Sequence, residues 1–336
     1  EVKDGLSERG GHPVERKRMR QWMMRITAYA DKLIEGLDDL NWSDSIKEAQ
    51  KNWVGRSEGA VVKFRTSGGK SVDVFTTRPD TIYGVSFMVL APEHELVSEL
   101  TTEANRDAVE QYIIASGRKS ERERQGEKEV TGVSLGGRVF HPLTGAEIPV
   151  YIAEYVLAGY GTGAIMAVPA GDERDWKFAK HFNIEIPAIF DGVDTYQEVC
   201  SDDAATLTGS EDLNGKSKKD AIPAAIEILE TAGHGEKRVN YRLRDAVFSR
   251  QRYWGEPFPI CYVDDIPKLI EDELVTLPSV DAYLPTADGE PPLARAAKED
   301  WTVFKGDRME TNTMPGWAGS SWYFLRFMDP HNSVAF

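Results

Sequence analysis

The sequence predicts an α+β protein whose central module, residues 56–236, is a barrel-like arrangement of mixed β-strands. Strand-like and helix-like segments follow one another there without the regular spacing of βαβ units, which favours an α+β fold. The flanks differ from this module. Residues 1–55 have helical apolar spacing, and residues 237–336 are rich in loops, with many prolines between 257 and 292. The chain is therefore predicted to consist of a helical arm, a central domain and an irregular return segment.

The N-terminal arm is expected to be helical. Two helices are predicted over 18–36 and 43–53, because apolar residues such as Trp22 and Leu33 fall on one face of the first. Both helices precede the change to strand-like patterning at about residue 59.

The central module is predicted to begin with a β-hairpin. The β-branched segments AVVKFRT (60–66) and SVDVFTT (71–77) flank the turn sequence SGGK. The overlapping GGKS resembles the end of a phosphate-binding loop, but that pattern requires glycine where Phe64 stands. The segment is therefore interpreted as a turn.

The rest of the module alternates strands with helices. Strands are predicted at 85–91, 137–141, 147–152, 164–168 and 187–190, and helices near 105–116, 173–182 and 218–232. Residues 191–217, rich in Asp, Gly, Ser and Thr, are predicted to form an exposed excursion.

Composition excludes several classes of protein. With 336 residues, 41% of them hydrophobic, the chain can bury a substantial core. It contains no apolar run long enough to span a membrane, and its charged first residues do not resemble a signal peptide. Its two cysteines, Cys200 and Cys261, lie far apart, which indicates a reducing compartment, by default the cytoplasm.

Charge argues against broad nucleic-acid binding. The net charge is -15, whereas affinity for phosphates comes mainly from lysine and arginine. Basic residues nevertheless cluster in 15–20, 117–124 and 237–255, and the last cluster interleaves arginine with aromatic residues. That pattern fits either a local RNA contact or ordinary packing.

The first stretch with chemical interest is VFTTRPDTIYG, residues 74–84. It leaves a strand-like segment and at once presents three hydroxyls, those of Thr76, Thr77 and Thr81. These side chains could line a pocket whose volume is fixed to within a methyl group. Threonine is also common at strand ends and in turns, so both interpretations stay open.

The second stretch is GYGTGAIMAVPAGDERDW, residues 159–176. Its glycines permit close backbone approach, and Pro169 with Gly171 leads into a helix that opens with acids. Asp172 and Asp175 are three residues apart and share one helical face. They could cap the helix, or form a carboxylate face that receives an ammonium group.

Together, TTRPDTIYG, GYGTGAIMAVP and DERDW resemble the two signature stretches of the editing domain inserted into bacterial leucyl-tRNA synthetases. Isoleucine and valine enzymes carry related motifs. Segments on either side, such as VNYRLRDAVFSRQRYWGEPFPI and METNTMPGWAGSSWYFLR, resemble the catalytic core of the leucine enzymes. No HIGH-like or KMSKS-like stretch occurs. The resemblance implies an editing domain at 56–236 with short arms of the core, and no ATP-dependent activation site within this chain.

The resemblance also implies post-transfer editing, the hydrolysis of the ester of tRNA-Leu misacylated with norvaline or a similar amino acid. Asp175 would pair with the α-ammonium group of the substrate, and Asp172 would hold the amino-acid end or order water. Thr76 and Thr77 would hydrogen-bond the substrate and the attacking water, while Arg78 would contact the tRNA terminus.

Discrimination against leucine is assigned to Thr81, which would occupy the space that the branched γ-carbon of leucine needs. Met166 and Val168 would form the apolar wall. A pocket gains only about 1–3 kcal/mol from one methylene, so binding alone cannot separate such similar amino acids, and a second site that rejects leucine by collision can. Gly171 departs from the family pattern, in which histidine usually precedes the first aspartate.

The expected partners are the 3′ end of aminoacylated tRNA-Leu and the remainder of the synthetase. Editing is expected to need no cofactor and no metal, whereas the parent leucine–tRNA ligase would use ATP and Mg²⁺. The alternative is a catalytically inert tRNA-binding or structural piece of the synthetase. None of the six histidines lies in either signature, which argues against a Ser-His or Cys-His hydrolase.

Other residues receive a structural interpretation. His94, His141 and His181 are expected to be surface or packing residues. The charged segment 116–129 is expected to be a solvated helix and loop.

Overall fold

A computed structural model gives the structure, which describes residues 2–3, 5–8, 10–14, 19–126, 129–159, 161–271, 273–296 and 301–334. The chain divides into two compact units, Glu1–Lys17 with Ala30–Leu243, and Arg18–Tyr29 with Arg244–Phe336. The central module predicted from the sequence, residues 56–236, lies within the first unit. Its predicted boundaries stay predictions.

The helices follow the predicted positions closely within the central module. They are α1 (Ala30–Glu35), α2 (Asp44–Val54), α3 (Val97–Leu100), α4 (Arg106–Gly117), α5 (Glu121–Gly126), α6 (Glu173–Phe182), α7 (Lys218–Thr231), α8 (Gly316–Ser320) and α9 (Tyr323–Met328). The long helix predicted over 18–36 is wrong in its first half. Met23–Met24 forms a short strand instead, because Ala246–Val247 provides hydrogen-bonding partners for its backbone.

The strands also match most of the predictions. They are β1 (Val2–Lys3), β2 (Leu6–Ser7), β3 (Met23–Met24), β4 (Arg56–Thr66), β5 (Ser71–Thr76), β6 (Phe87–Leu90), β7 (Val133–Phe140), β8 (Glu147–Ile152), β9 (Ala164–Ala167), β10 (Gly235–Tyr241), β11 (Ala246–Val247), β12 (Ile260–Val263), β13 (Ile266–Leu269), β14 (Val303–Phe304) and β15 (Asp307–Met309). The predicted strand at 187–190 does not form. Pro187 has no N–H to donate to a ladder, and only Phe190 makes an isolated bridge, to Leu207.

A seven-stranded mixed sheet dominates the first unit, so the predicted α+β class is confirmed. The sheet follows the order β10-β4-β7-β8-β6-β9, and β5 pairs with the other edge of β4. The predicted hairpin is β4 with β5, whose turn closes through a hydrogen bond from the Thr66 N–H to the Lys70 carbonyl at 2.8 Å. Gly69 adopts a φ of 81° in this turn, a conformation that favours glycine.

The sheet curls so that β5 lies against β9. Between these two strands the path runs through four antiparallel pairings and one parallel pairing, that of β8 with β6. An even number of reversals makes β5 and β9 run in the same direction. Their carboxyl ends therefore leave the curled sheet at the same end, and both signature stretches continue from there.

Helix α6 packs against the sheet through aromatic residues. Phe178 stacks on Phe87 of β6 with ring centroids 4.9 Å apart, and it meets Phe182 at 4.5 Å. Phe178 and Phe87 are both almost fully buried. Such burial contributes roughly 2 kcal/mol or more for each large side chain. This packing fixes the start of α6, where Asp172 and Asp175 lie.

Residues 191–217 are largely exposed, as predicted, but a few of them pack against the rest of the unit. Leu207 and Leu213 are buried in the core, and the Cys200 N–H donates to the Ala170 carbonyl at 2.9 Å. The indole N–H of Trp176 donates to the Thr195 carbonyl, also at 2.9 Å. These hydrogen bonds attach the largely exposed segment to the second signature stretch.

The second unit has its own small core and a four-stranded sheet in the order β13-β12-β15-β14. Its buried residues include Cys261, Leu293 and Trp301. Of the helices that the structure describes, none is both long enough and apolar enough to cross a bilayer.

Candidate active site

The two signature stretches meet at Val168. The stretch after β5 forms a 3₁₀ helix, Pro79–Gly84. A Cβ atom on Gly84 would lie 2.6 Å from the Ile189 Cδ1 atom and 3.1 Å from the Val168 Cγ1 atom, so only glycine allows this close approach. On its other side, the Val168 N–H donates to the Asp175 Oδ2 atom at 2.8 Å. Val168 thus connects the helix that carries Thr81 with the carboxylate of Asp175.

Asp172 caps helix α6. Its Oδ1 atom accepts hydrogen bonds from the backbone N–H groups of Arg174 at 2.9 Å and Asp175 at 3.0 Å. The residue itself is exposed and has an extended backbone, as an N-cap requires. The capping interpretation of Asp172 is therefore confirmed. A direct role with substrate stays a prediction.

Asp175 lies in the first turn of the helix and is buried, with only 6% of its surface exposed. Burial is the main reason why the pKa of Asp175 is raised to about 8, and the negative charge of Asp172 adds to the shift. The Val168 N–H and the Arg174 charge oppose it. A carboxylate that is this costly to ionise gains strongly from a cation, and an ammonium group supplies one.

Tyr155 was missed by the sequence analysis. The Arg174 guanidinium lies over its ring, 5.0 Å from the centroid, and the buried hydroxyl has no hydrogen-bond partner within the described part of the chain. Burial and the neighbouring charge of Asp175 raise the pKa of the Tyr155 hydroxyl. Its position four residues before the GYGTG segment gave no signal of this contact.

The threonines at the end of β5 lie at the start of the turn. The Thr76 Oγ1 atom accepts a hydrogen bond from the Arg78 N–H at 3.0 Å, and Thr77 is exposed. The Arg78 guanidinium is held by Asp80 through its Nε at 3.0 Å and its Nη2 at 2.8 Å. Asp80 is fully buried, whereas Arg78 keeps 32% of its side chain exposed. Asp80 is thus a second residue that the sequence analysis missed, although it stands only two positions away.

Thr81 is buried, with 4% of its surface exposed. Its hydroxyl donates to the Arg78 carbonyl at 2.9 Å. The role of Thr81 in excluding leucine stays a prediction. Met166 and Val168, the predicted apolar wall, are also buried, at 8% and 7% exposure. Met166 lies in β9 opposite Met88 of β6. Met166 and Val168 are two positions apart, and side chains at that spacing in an extended chain point to the same face.

Gly171 lies in the turn between β9 and α6. Its N–H donates to the Val168 carbonyl at 3.0 Å. A Cβ atom at this position would come within 3.3 Å of the Phe190 ring, so any larger residue requires that ring to move by a few tenths of an ångström. Glycine therefore fits the packing of residues 186–190 in this chain.

No group of three or more His, Cys, Asp or Glu residues suited to a metal ion occurs within the ranges that the structure describes. The expectation that the site works without a metal stays a prediction.

Comparisons with known proteins find relatives of this chain in sequence and in structure. Residues 51–230 match the family model "Leucyl-tRNA synthetase, editing domain". The chain is 50% identical to a leucine–tRNA ligase of Flavobacterium psychrophilum and 52% identical to one of Porphyromonas gingivalis. In both cases 100% of this chain is covered, but only 39% and 37% of the relative. The chain thus spans about two fifths of the length of these relatives.

A solved structure is also similar. It is a crystal structure of the ternary complex of Agrobacterium radiobacter K84 agnB2 LeuRS with tRNA and LeuAMS. The two chains share 33% sequence identity and superpose with a TM-score of 0.74 over 98% of this chain and 39% of the other.

Proposed function

Since the chain belongs to the leucyl-tRNA synthetase family through its editing domain, we propose that it hydrolyses the ester of tRNA-Leu carrying norvaline or a similar amino acid. The observation that carries the proposal is the buried Asp175 carboxylate, joined through Val168 to the 3₁₀ helix that contains Thr81. Asp175 can then bind the ammonium group of an amino acid whose side chain is selected for size by Thr81.

The Asp175 carboxylate receives the α-ammonium group of the bound amino acid. One of its oxygens accepts from the Val168 N–H, so the group has a fixed orientation. The ammonium charge offsets the unfavourable ionisation of the buried carboxyl, whose pKa is about 8 in the free site. Every aminoacyl ester carries this ammonium, so the contact binds correct and incorrect substrates alike.

Hydrolysis needs an oriented water and a positioned ester, because an aminoacyl ester is already reactive. The water oxygen attacks the ester carbonyl carbon, and the bond from that carbon to the ribose oxygen breaks. The proton lost by water ends on the ribose oxygen, giving free amino acid and deacylated tRNA. Thr76 and Thr77 supply hydroxyls for the substrate and the water, and Asp172 supports the amino-acid end.

Selection depends on Thr81. Its methyl group fills the volume that the γ-branch of leucine requires, while the linear side chain of norvaline fits along Met166 and Val168. Arg78, held by Asp80, contributes its exposed edge to the terminus of the tRNA.

The activity of the whole protein is part of the same proposal. The relatives are leucine–tRNA ligases, and we propose that the parent of this chain is one too, with ATP and Mg²⁺ used at a separate activation site. Its partners would be tRNA-Leu and the remainder of the synthetase, in the cytoplasm.

The test is deacylation of norvalyl-tRNA-Leu and leucyl-tRNA-Leu by the whole chain. We expect rapid release of norvaline and retention of leucine. Asp175→Ala should slow norvalyl-tRNA hydrolysis by roughly 10- to 100-fold, because a charged hydrogen bond is lost. Glu173→Ala is the matched control, since Glu173 is an exposed acid in the same helical turn. A chain that binds tRNA but clears neither ester would establish the inert alternative instead.

A further inference from the structure

His141 lies in the six-residue connection between β7 and β8. Its backbone closes this connection: the His141 N–H donates to the Ala146 carbonyl at 2.8 Å, and the Gly145 N–H donates to the His141 carbonyl at 2.9 Å. The side chain is buried, with 5% of the residue exposed. Of the two expected roles, surface or packing, the structure shows packing: the imidazole contacts the rings of Phe64 and Tyr83. Its hydrogen bonds go beyond that expectation.

The hydrogen bonds of the imidazole define its tautomer. The Nδ1 atom accepts from the backbone N–H groups of Leu143 at 3.2 Å and Thr144 at 3.1 Å, so it carries no proton. The Nε2 atom lies 3.0 Å from the Ile82 carbonyl oxygen, which can only accept, so Nε2 carries the proton and donates it. Burial lowers the pKa of His141, which favours this neutral form.

The acceptor of that bond belongs to the segment that carries the specificity residue. Ile82 follows Thr81 in the 3₁₀ helix and is fully buried. Its carbonyl oxygen accepts from both His141 and the Val85 N–H, the latter at 3.2 Å. The Tyr83 ring stacks on the imidazole with centroids 5.9 Å apart. Ile82 and Tyr83, the two residues after Thr81, therefore both contact the side chain of His141, which stands 59 positions after Ile82.

We propose that His141 is a positioning residue for leucine discrimination: it fixes the 3₁₀ helix so that the Thr81 methyl group stays in the space required by the γ-branch of leucine. The inference rests on the proposed editing function. A shift of a fraction of an ångström in this helix would admit leucine without removing the Asp175 contact, because Asp175 binds the backbone N–H of Val168 whereas the helix touches its side chain.

Two substitutions separate positioning from folding. In His141→Asn, the amide oxygen stands close to the place of Nδ1 and can accept from the same backbone N–H groups of the turn, but no donor reaches the Ile82 carbonyl. In His141→Gln, the amide nitrogen stands close to the place of Nε2 and can donate to the Ile82 carbonyl, while the turn contacts are lost. We expect His141→Asn to raise hydrolysis of leucyl-tRNA relative to norvalyl-tRNA by roughly three- to tenfold, the effect of one buried hydrogen bond. His141→Gln should keep the discrimination of the wild type despite a lower melting temperature.

The control is His181→Asn, which changes an exposed histidine on α6 in the same way and should leave the ratio unchanged. Unaltered discrimination in folded His141→Asn would overturn the inference. So would equal relaxation in the Asn and Gln variants, because that pattern describes general destabilisation.

Hydrogen exchange provides a readout that does not depend on activity. His141→Asn should speed exchange of the Val85 amide, which shares the Ile82 carbonyl, more than His141→Gln does. If the wild type hydrolyses neither ester, the proposed editing function fails, and this exchange difference alone decides whether His141 holds the helix. Equal exchange in both variants would refute the positioning role.

Discussion

Asp175 is the residue at which local and long-range structure combine. Its place in the first turn of α6 follows from the cap at Asp172, which the sequence predicts. Its burial follows from Val168 and the packed aromatic face of α6, which no local pattern contains. The raised pKa is a consequence of that burial.

The stability of the protein should therefore depend on pH through Asp175. In the unfolded chain this carboxyl loses its proton near 3.8, whereas in the folded chain it keeps the proton until about pH 8. Between these values the folded state binds more protons, so stability falls as pH rises and levels off above about 8. Asp175→Asn, which cannot ionise, should exceed the wild type in free energy of unfolding by at least about 2 kcal/mol at pH 9 and match it closely near pH 4.

Urea unfolding at the two pH values measures this difference. An identical difference between variant and wild type at both would contradict the assignment of the raised pKa to Asp175.

Thr81 allows its methyl group and its hydroxyl to be tested separately. The hydroxyl donates to the Arg78 carbonyl, so the methyl group is assigned to exclude leucine. Thr81→Ala and Thr81→Ser both remove the methyl group and should raise leucyl-tRNA hydrolysis by roughly tenfold or more, the effect of one methylene-sized contact. Thr81→Val keeps the volume and should continue to spare leucine. The measurement is the rate of leucyl-tRNA deacylation by the three variants. Protection of leucyl-tRNA in Thr81→Ser would show that the methyl group does not exclude leucine.

At the scale of elements, the short helix α5 shows a contact that charge alone did not predict. The segment 116–129 has the composition of a solvated surface, yet Arg124 is fully buried. Its guanidinium donates to the carbonyls of Glu154 and Val156 at 2.9 Å each, and to the Glu93 carboxylate at 2.6 Å. Arg124 thereby holds the segment that contains Tyr155.

Removing this guanidinium should destabilise the protein. Arg124→Met leaves two buried carbonyls without this donor and should lower the free energy of unfolding by about 3 kcal/mol or more. The backbone amides around Tyr155 should also exchange faster. Arg122→Met, an exposed arginine on the same helix, should change stability by less than about 0.5 kcal/mol. Urea unfolding of both variants compares them directly, and equal losses would argue against a specific contact.

At the scale of the whole molecule, the path of the sheet creates the candidate site. Strands β5 and β9 are separated by some 90 residues, yet they run in the same direction and lie against each other. Each signature stretch follows one of these strands. The stretches therefore meet although they are far apart in the sequence, because the curled sheet brings β9 against β5 of the first hairpin.

The second unit is organised independently around its own core, with Glu310 accepting hydrogen bonds from Trp22 and Asn312. The contact between Trp22 and Glu310 joins residues 288 positions apart, which explains why the predicted helix over 18–36 begins late. Its first half is recruited by distant partners rather than by its own periodicity.

Local sequence accounts for the features that depend on neighbours along the chain. The hairpin β4–β5, the helices α4, α6 and α7, the turn at Gly69 and the cap at Asp172 all arise from local hydrogen bonding and side-chain periodicity. The resemblance of two short stretches to a known editing domain was also readable without coordinates, and the family match confirms it.

Which of these elements touch depends on how the folded chain packs. Several contacts join residues that are distant along the chain or depend on the curl of the sheet. They are the burial of Asp175, the contact of Gly84 with Val168, the ion pair of buried Arg124 and the hydrogen bond from His141 to Ile82. The physical reason is that burial and donor–acceptor pairing are set by the packing of whole elements. Composition and the periodicity of apolar residues predict those elements one at a time, but not the contacts between them.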